Sequence, residues 1–307
     1  MTRARLLTES EQRIGPPAQS GASALSGALP RLSIEAKRLS ANVAAGIHGR
    51  RRAGPGETFW QFRSFVQGEP VSRIDWRRTA RDDRITIRDR EWEAAQSAWL
   101  WIDRSASMQF VSELALAPKS ERAVVLGLAL ADMLVRGGER VGLIGLTPAM
   151  AHRAIIDRLA ERLAAAPPAD PPEGLALPPR SDAVLISDFI VPPETLRQRI
   201  GALAQRGARG HLVMIVDPAE ETFPFTGHNE FQGPEDGSSL RVGDAAGFAP
   251  AYRIRMAAHR AEVRAVALAY GWTCITHRTD RPASEILLAL RMMLESGAPA
   301  AGAGAAS

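Results

Sequence analysis

From Ser97 onward, short apolar runs alternate with longer stretches whose apolar residues recur at helical spacing. Almost every position within the runs is apolar, which is typical of strands covered by helices on both faces of a sheet. The predicted strands are Ala98–Asp103, Arg140–Leu146, Ala183–Ser187, Gly210–Val216 and Trp272–Thr276. The predicted helices are Ser120–Arg136, Ala154–Ala165, Pro193–Arg206, Ala251–Tyr270 and Ala283–Leu294. This order predicts an α/β fold with a doubly wound, mainly parallel sheet.

The first third of the chain follows a different pattern. Leu32–Ile47 has apolar residues at helical spacing, and Thr58–Arg90 is typical of short strands and turns. We therefore expect a small N-terminal helix-plus-strands subdomain over 31–95 and the sheet domain over 96–296. Gly, Pro and acidic residues near 223–242 predict an inserted turn or hairpin. Composition also predicts a flexible tail over 1–30 and a disordered tail over 297–307.

Composition narrows the class of protein. Apolar residues make up 45% and charged residues 23% of the chain, as in ordinary globular proteins. The longest apolar run, 123–135, is too short to span a bilayer, and no secretory signal is recognisable at the N-terminus. The single cysteine, Cys274, excludes an internal disulfide framework and a Cys-based zinc site. Together these features predict a cytoplasmic protein.

Basic charge is concentrated in the N-terminal third. Residues 1–92 contain 17 Lys and Arg residues against 10 Asp and Glu residues. This excess could bind an acidic partner, nucleic acid or a membrane surface, or it could form ion pairs with acidic side chains of the same segment. The arginines that we consider for binding a protein partner are Arg63, Arg73, Arg77 and Arg81.

Asp103, Ser105 and Ser107 follow the first predicted strand of the sheet domain at alternate positions. Residues i, i+2 and i+4 of an extended segment point the same way, so one carboxylate and two hydroxyls converge beyond the strand. Such oxygen donors suit Mg2+ or Mn2+ that keeps part of its hydration shell. Asp188 follows a later strand. Because ligands of open α/β sheets bind at the carboxyl ends of strands, Asp188 is expected to supply a second carboxylate.

This motif resembles the metal-ion-dependent adhesion site of von Willebrand factor type A domains, which have a Rossmann-like fold. In that family Asp-x-Ser-x-Ser follows the first strand, a threonine comes from a later loop, and another aspartate follows the fourth strand. The resemblance implies that Ser105 and Ser107 bind the ion directly, whereas Asp103 and Asp188 act mostly through water. No threonine matches, because Thr147 lies too early in the chain, at the end of the second strand.

Three linked motifs precede this site, within Gly54–Glu57, Phe62–Glu69 and Arg73–Arg81. They resemble the hallmark of the domain-of-unknown-function family 58, which lies ahead of a type A-like domain. That hallmark reads roughly Gly-x-Gly-Glu-Phe, Arg-x-Tyr-x-x-Gly-Asp and Arg-x-Ile-Asp-Trp-x-x-Ser-Ala-Arg. This chain has mild substitutions in it, at Phe65, Glu69 and Thr79.

Members of family 58 commonly occur alongside MoxR-type AAA+ ATPases. The resemblance therefore implies a non-enzymatic adaptor that works with such an ATPase in the remodelling or maturation of a target complex. In this hypothesis the bound ion takes an acidic side chain of a partner or client as a further ligand.

Two other classes of function stay open. The acidic strand ends allow a metal-dependent phosphohydrolase, although serines stand where a haloacid-dehalogenase-type enzyme would need a second aspartate. The sequence also has no phosphate-binding Gly-rich loop. Nucleic-acid binding could use Arg50–Arg52, with Trp60, Trp76 and Trp92 stacking on bases.

Overall fold

The computed structural model of the protein describes residues 12–14, 21–48, 60–65, 74, 76–79, 85–90, 96–168, 175–233 and 238–296. The strands are β1 (Gln12–Ile14), β2 (Trp60–Ser64), β3 (Thr86–Arg90), β4 (Ser97–Ile102), β5 (Arg140–Leu143), β6 (Ser181–Ser187), β7 (Arg209–Val216), β8 (Asn229–Gln232), β9 (Ser239–Val242) and β10 (Thr273–Arg278). The helices are α1 (Gly21–His48), α2 (Trp76–Thr79), α3 (Lys119–Arg136), α4 (Ile155–Ala165), α5 (Pro193–Ala204), α6 (Pro218–Thr222), α7 (Ala245–Ala269) and α8 (Ala283–Ser296). The chain forms two compact units, Gly46–Ala95 and the remainder.

Five parallel strands form the central sheet of the larger unit, in the order β10-β7-β6-β4-β5. β6 lies in the middle of this order, and all of its residues are buried. The apolar run Ala183–Ile186 within β6 is explained by this position, because a strand covered on both faces gains stability from apolar side chains on each. The finding confirms the predicted α/β fold with a mainly parallel sheet, and the predicted strand ends differ from the observed ones by only a few residues.

Helices cover both faces of this sheet. Leu185 of β6 packs in a core cluster with Leu196 of α5 and Val263 of α7. The next residue, Ile186, points to the opposite face, because successive side chains of a strand alternate. There α3 lies so close that a Cβ added at Gly127 would meet the side chain of Ile102 and lie in contact with that of Ile186. Gly127 therefore permits the close approach of α3 to the sheet.

The order of the strands reverses at β4. The chain passes from β4 through α3 to β5 on one side of β4, and then through α4 to β6 on its other side. In doubly wound sheets such a reversal leaves a crevice beyond the carboxyl ends of the strands, where ligands bind. This crevice lies beyond Ile102 of β4 and Ser187 of β6.

The N-terminal region differs from the sequence-based expectation. α1 begins at Gly21 rather than at Leu32, so part of the flexible tail expected over 1–30 is helical. Leu25 and Leu29 are buried and continue the spacing of Leu32 toward the N-terminus. The many Gly, Ala and Ser residues of this segment hid that periodicity. Most of α1 also belongs to the larger unit, whereas the prediction assigned it to the small subdomain.

Polar contacts accompany the packing of α1 within the larger unit. The Ser40 hydroxyl donates to the Asp132 carboxylate of α3 at 2.6 Å, and this contact is buried. The Lys37 ammonium donates to the Asp157 carboxylate of α4 at 2.6 Å, and both side chains are about half exposed. Exposed ion pairs of this kind contribute little to stability.

The small unit contains an antiparallel pair of strands, β2 and β3, in which Phe62 lies opposite Arg88. The short helix α2 also belongs to this unit, and its Trp76 is 62% exposed. The predicted short strands of this segment are thus present. The three-arginine cluster at 50–52 and the predicted tail at 297–307 lie outside the described residues.

The insertion predicted near 223–242 contains the antiparallel strands β8 and β9, and β1 joins β8 in parallel. Phe223 lies at the base of this lobe, where its ring stacks on Phe231 at 5.6 Å and contacts Tyr252 of α7 at 4.5 Å between centroids. The lobe is therefore fastened to the larger unit by aromatic packing. None of the described helices is long and apolar enough to cross a membrane.

Candidate functional site

Asp103 is the first residue after β4, and hydrogen bonds fix its carboxylate. Its backbone N–H donates to the Ile186 carbonyl at 2.9 Å, which extends the β4–β6 ladder beyond the strand end. Its Oδ1 accepts the backbone N–H of Ser105 at 2.8 Å, and its Oδ2 accepts the hydroxyl of Ser187 at 2.6 Å. The residue is only 8% exposed. The Asp103 carboxylate is therefore fixed by hydrogen bonds from its own turn and from the end of β6.

Ser105 and Ser107 place their hydroxyl oxygens side by side. The distance between the two Oγ atoms is 3.1 Å. Neighbouring ligands of an octahedral ion with bonds of about 2.1 Å lie about 3 Å apart, so these two oxygens have the spacing of adjacent ligands. Ser107 begins a short 3-10 turn, Ser107–Gln109, in which Met108 is completely buried and anchors the loop.

Asp188 follows β6 and is held by a buried lysine. Its Oδ1 accepts the backbone N–H of Ile190 at 3.1 Å, and its Oδ2 accepts a hydrogen bond from the Lys119 ammonium at 2.9 Å. Lys119 is the first residue of α3, and its side chain is wholly buried. The same ammonium donates to Glu220 of α6 at 2.5 Å. Two carboxylates therefore share one ammonium at the edge of the site.

The structure brings all four predicted metal-binding residues together. Asp103, Ser105, Ser107 and Asp188 line one cavity of about 230 Å³ at the crevice between β4 and β6. The rest of its wall is mostly apolar. This location agrees with the rule that ligands of doubly wound sheets bind where the strand order reverses.

The carboxylates of Asp103 and Asp188 repel each other, and burial makes their negative charges less favourable. Burial raises the pKa of Asp103, and the nearby Asp188 charge raises it further, while the hydrogen bond from Ser187 opposes both effects. Burial likewise raises the pKa of Glu220, against the opposing effect of Lys119. Burial lowers the pKa of Lys119, but the charges of Asp188 and Glu220 outweigh it, so the net shift is upward. A further cation in the cavity would relieve the repulsion between the aspartates.

The donor set is compatible with a hydrated divalent ion. The serine hydroxyls have the spacing of two neighbouring ligands, and carboxylate oxygens such as those of Asp103 and Asp188 can accept hydrogen bonds from water molecules on an ion. Thr147 does not line the cavity and so does not replace the threonine of the adhesion-type motif; its Oγ1 accepts the Leu143 backbone N–H at 2.9 Å within its own turn. Among the described residues, no group of three or more His, Cys, Asp or Glu side chains could hold a metal ion, so this centre would depend on the hydroxyls.

Two residues of this site, Ser187 and Lys119, were not predicted from the sequence. Ser187 orients Asp103, and its hydroxyl also accepts the Phe189 backbone N–H at 2.9 Å. Lys119 neutralises Asp188. The sequence could have indicated Lys119, because a cation in the first turn of an apolar helix is unfavourable next to the helix dipole unless carboxylates lie nearby. Ser187 carried no such signal, since a serine at a strand end has many ordinary uses.

Two further strand ends carry aspartates that do not line the cavity. Asp217 caps α6, with its side chain accepting the Ala219 backbone N–H at 2.8 Å and the side chain of Glu220 completing a capping box. Asp280 pairs with Arg278 through two hydrogen bonds, and the hydrogen bond from this guanidinium lowers its pKa. Both carboxylates therefore have structural roles.

The four arginines considered for partner binding belong to the small unit. Arg63 lies in β2 and Arg77 in α2, where only the backbone is described. Arg73 and Arg81 lie outside the described residues. Their role in binding a partner stays a prediction.

Replacing Ser187 with alanine should lower the free energy of unfolding by about 1 to 3 kcal/mol. The variant removes the hydroxyl that donates to the buried Asp103 carboxylate, and a hydrogen bond to a charged group contributes more than one to a neutral group. Urea unfolding measures the change. The matched control is Ser33→Ala, because the buried Ser33 hydroxyl donates only to the Leu29 carbonyl of its own helix. Equal losses for the two variants would contradict the assigned role of Ser187.

The chain is similar to several bacterial proteins. Uncharacterized proteins of Mycobacterium tuberculosis and Mycobacterium bovis are 28% identical to it over 278 residues, which is 84% of this chain and 86% of theirs. The crystal structure of the conserved hypothetical protein BatB from Bacteroides thetaiotaomicron is similar with a TM-score of 0.35 and 14% identity, over 66% of this chain and 100% of that one. The model of a family described as "Protein of unknown function DUF58" matches residues 61–262, and the chain therefore belongs to this family.

Proposed function

We propose that this protein is a non-enzymatic adaptor whose larger unit is a von Willebrand factor type A-like domain. In this proposal Ser105 and Ser107 hold Mg2+ or Mn2+ directly, and Asp103 and Asp188 contact it through water. The observation that carries the proposal is the 3.1 Å spacing of the two serine oxygens in a cavity that both aspartates line.

The ion would supply a concentrated positive charge to which a carboxylate of another protein can bind. The chain's own residues prepare its place. Ser187 and the Ser105 backbone N–H orient Asp103, while Lys119 and the Ile190 backbone N–H orient Asp188. Because the direct ligands are neutral hydroxyls, they would leave most of the charge of the ion available to a partner.

Exposed apolar side chains on neighbouring loops support a protein partner rather than a small substrate. The loop after the serine motif exposes Val111 by 49%, Leu114 by 51% and Leu116 by 71%, and Ile190 beyond Asp188 is 49% exposed. This loop is held in place by Ser112, whose backbone N–H and hydroxyl both donate to the Asp217 carboxylate. Fixed, exposed apolar groups near a charged centre are typical of protein interaction sites.

The resemblance to family 58 supports a MoxR-type AAA+ ATPase as one partner and a client with an acidic side chain as another. In this hypothesis the ATPase uses the adaptor to remodel or mature a complex in the cytoplasm. The arginines Arg63, Arg73, Arg77 and Arg81 are the proposed contacts of the small unit with a partner.

Affinity capture from the native cell, with Mg2+ or with EDTA, tests the proposal. We expect a set of partners, including an AAA+ ATPase, that is retained by the wild-type protein in Mg2+ and lost both in EDTA and with Asp103→Ala. Retention of the same partners under all three conditions would contradict a metal-mediated contact. Metal-dependent hydrolysis of a generic phosphoester by the purified protein, absent in Asp103→Ala, would favour a phosphohydrolase instead.

A further inference from the structure

Lys119 has an unfavourable position that its neighbours must offset. It is the first residue of α3, where the helix dipole repels a positive charge, and its side chain is fully buried. Its ammonium lies 2.9 Å from Asp188 and 2.5 Å from Glu220. These two carboxylates compensate both the dipole and the loss of water. A buried lysine of this kind is a fixed charge rather than a solvated surface group.

Only the Asp188 side chain lies between the Lys119 ammonium and the proposed ion. The ammonium bonds to Asp188, and Asp188 lines the cavity together with the two serines. The hydrogen bond from the Lys119 ammonium occupies a lone pair of Asp188 Oδ2, and the hydrogen bond from the Ile190 backbone N–H occupies a lone pair of Asp188 Oδ1. Asp188 therefore has less negative charge to offer an ion than an unpaired carboxylate would have.

Glu220 adds the opposite charge to the same cluster. The Glu220 side chain is only 13% exposed. In addition to the hydrogen bond from Lys119, its carboxylate accepts the backbone N–H of Asp217 at 2.9 Å in the capping box of α6. Asp103, Asp188 and Glu220, when ionised, bring three negative charges against the single positive charge of Lys119. The affinity of the cavity for a cation depends on this balance, because Coulomb interactions persist over several ångströms in a poorly hydrated region.

We propose that Lys119 is a positioning residue that weakens the affinity of the site for a divalent cation and keeps Asp188 from binding the ion directly. It holds the Asp188 carboxylate by Oδ2 and places a permanent positive charge behind it. The ion then keeps enough net charge to accept a carboxylate from a partner. This inference rests on the proposed metal site and assigns to one residue the control of its affinity.

Mn2+ titration of the full-length protein by calorimetry tests the inference with two variants of opposite charge change. Lys119→Met removes the ammonium and should tighten Mn2+ binding about tenfold. Glu220→Gln removes a negative charge but keeps an acceptor for the α6 cap, and it should weaken Mn2+ binding several-fold. The exposed Lys37→Met variant is the control, because Lys37 pairs with Asp157 away from the cavity and its loss should leave the affinity unchanged.

The two opposite signs separate a charge effect from structural damage. A purely structural role would make both variants bind Mn2+ more weakly, and that result would overturn the inference while leaving the metal site in place. Equal affinity of the wild type and Lys119→Met would overturn it as well. No Mn2+ uptake by the folded wild-type protein would overturn both the inference and the proposed function. If Lys119→Met does not fold by circular dichroism, Lys119→Gln takes its place, because a neutral amide can still donate to the two carboxylates. It should also tighten Mn2+ binding, and equal or weaker binding would overturn the inference.

Discussion

Lys119→Met should lower the free energy of unfolding by about 3 to 5 kcal/mol. The substitution keeps a long apolar side chain at the start of α3 but removes the ammonium, so that the buried Asp188 carboxylate and the partly buried Glu220 carboxylate lose their shared partner. Lys119 is fully buried, and the Asp188 side chain is 5% exposed, so water cannot replace the lost bonds without rearrangement. Urea unfolding of the purified protein, followed by circular dichroism, measures the loss.

Two comparisons show whether that loss comes from unpaired charge. Lys119→Met combined with Asp188→Asn and Glu220→Gln leaves three neutral side chains of similar shape, and it should recover half or more of the stability lost in the single variant. Lys37→Met should change the free energy of unfolding by less than about 0.5 kcal/mol, although Lys37 also lies 2.6 Å from a carboxylate, because that pair is about half exposed. A triple variant no more stable than Lys119→Met would show that packing, not charge, causes the loss.

The sequence predicts the sheet domain well because its strands carry an unambiguous signal. All positions of β6 are buried, and its middle residues form an apolar run, Ala183–Ile186, that can be recognised without structural knowledge. The order of such runs and helices then predicts the parallel sheet. Once the sheet is predicted, the carboxyl ends of β4 and β6 follow as the place of Asp103 and Asp188.

Prediction fails where the deciding contact is distant in sequence. Leu25 and Leu29 belong to α1, but Gly and Ala residues weaken the periodicity around them, and packing in the larger unit provides what local propensity does not. The pairing of β1 with β8 joins Gln12 to Asn229, and no local pattern specifies such a contact. The hydrogen bonds of Lys119 to Asp188 and Glu220 also join residues that are distant in sequence, so no local pattern specifies them.

The candidate site likewise contains residues that the sequence predicts and residues that only the three-dimensional structure identifies. The motif Asp103–Ser107 can be found because its residues are neighbours in the chain. The predicted reason for their convergence is wrong, however, because the segment is not extended: Ala106 has helical backbone angles and Ser107 begins a 3-10 turn, so the two hydroxyls meet through a bend. The hydroxyl of Ser187 reaches Asp103 from the end of β6, and this contact depends on the register that pairs Ile102 with Ile186. Local sequence thus provides the oxygen donors, whereas strand register and helix packing provide the groups that orient them.

Ser105→Ala combined with Ser107→Ala should weaken Mn2+ binding by about 100-fold or more, because the variant removes both proposed direct ligands. Loss of groups that only orient a ligand usually lowers metal affinity by about 10 to 100 times, and loss of two ligands should exceed that range. Calorimetry with Mn2+ measures the affinity. Ser181→Ala is the matched control, because Ser181 is a buried serine at the opposite end of β6 and does not line the cavity.

Thermal unfolding gives an independent measure of the same prediction. A ligand that binds only the folded state stabilises it by about 2.7 kcal/mol at a concentration of 100 times Kd, so Mn2+ should raise the Tm of the wild type and of Ser181→Ala by several degrees. The double serine variant should show no such rise when its Tm values with and without Mn2+ are compared. An equal rise in all three proteins would locate the ion outside the Ser105–Ser107 pair, since a cation held by other groups would still stabilise the folded chain after both hydroxyls are removed.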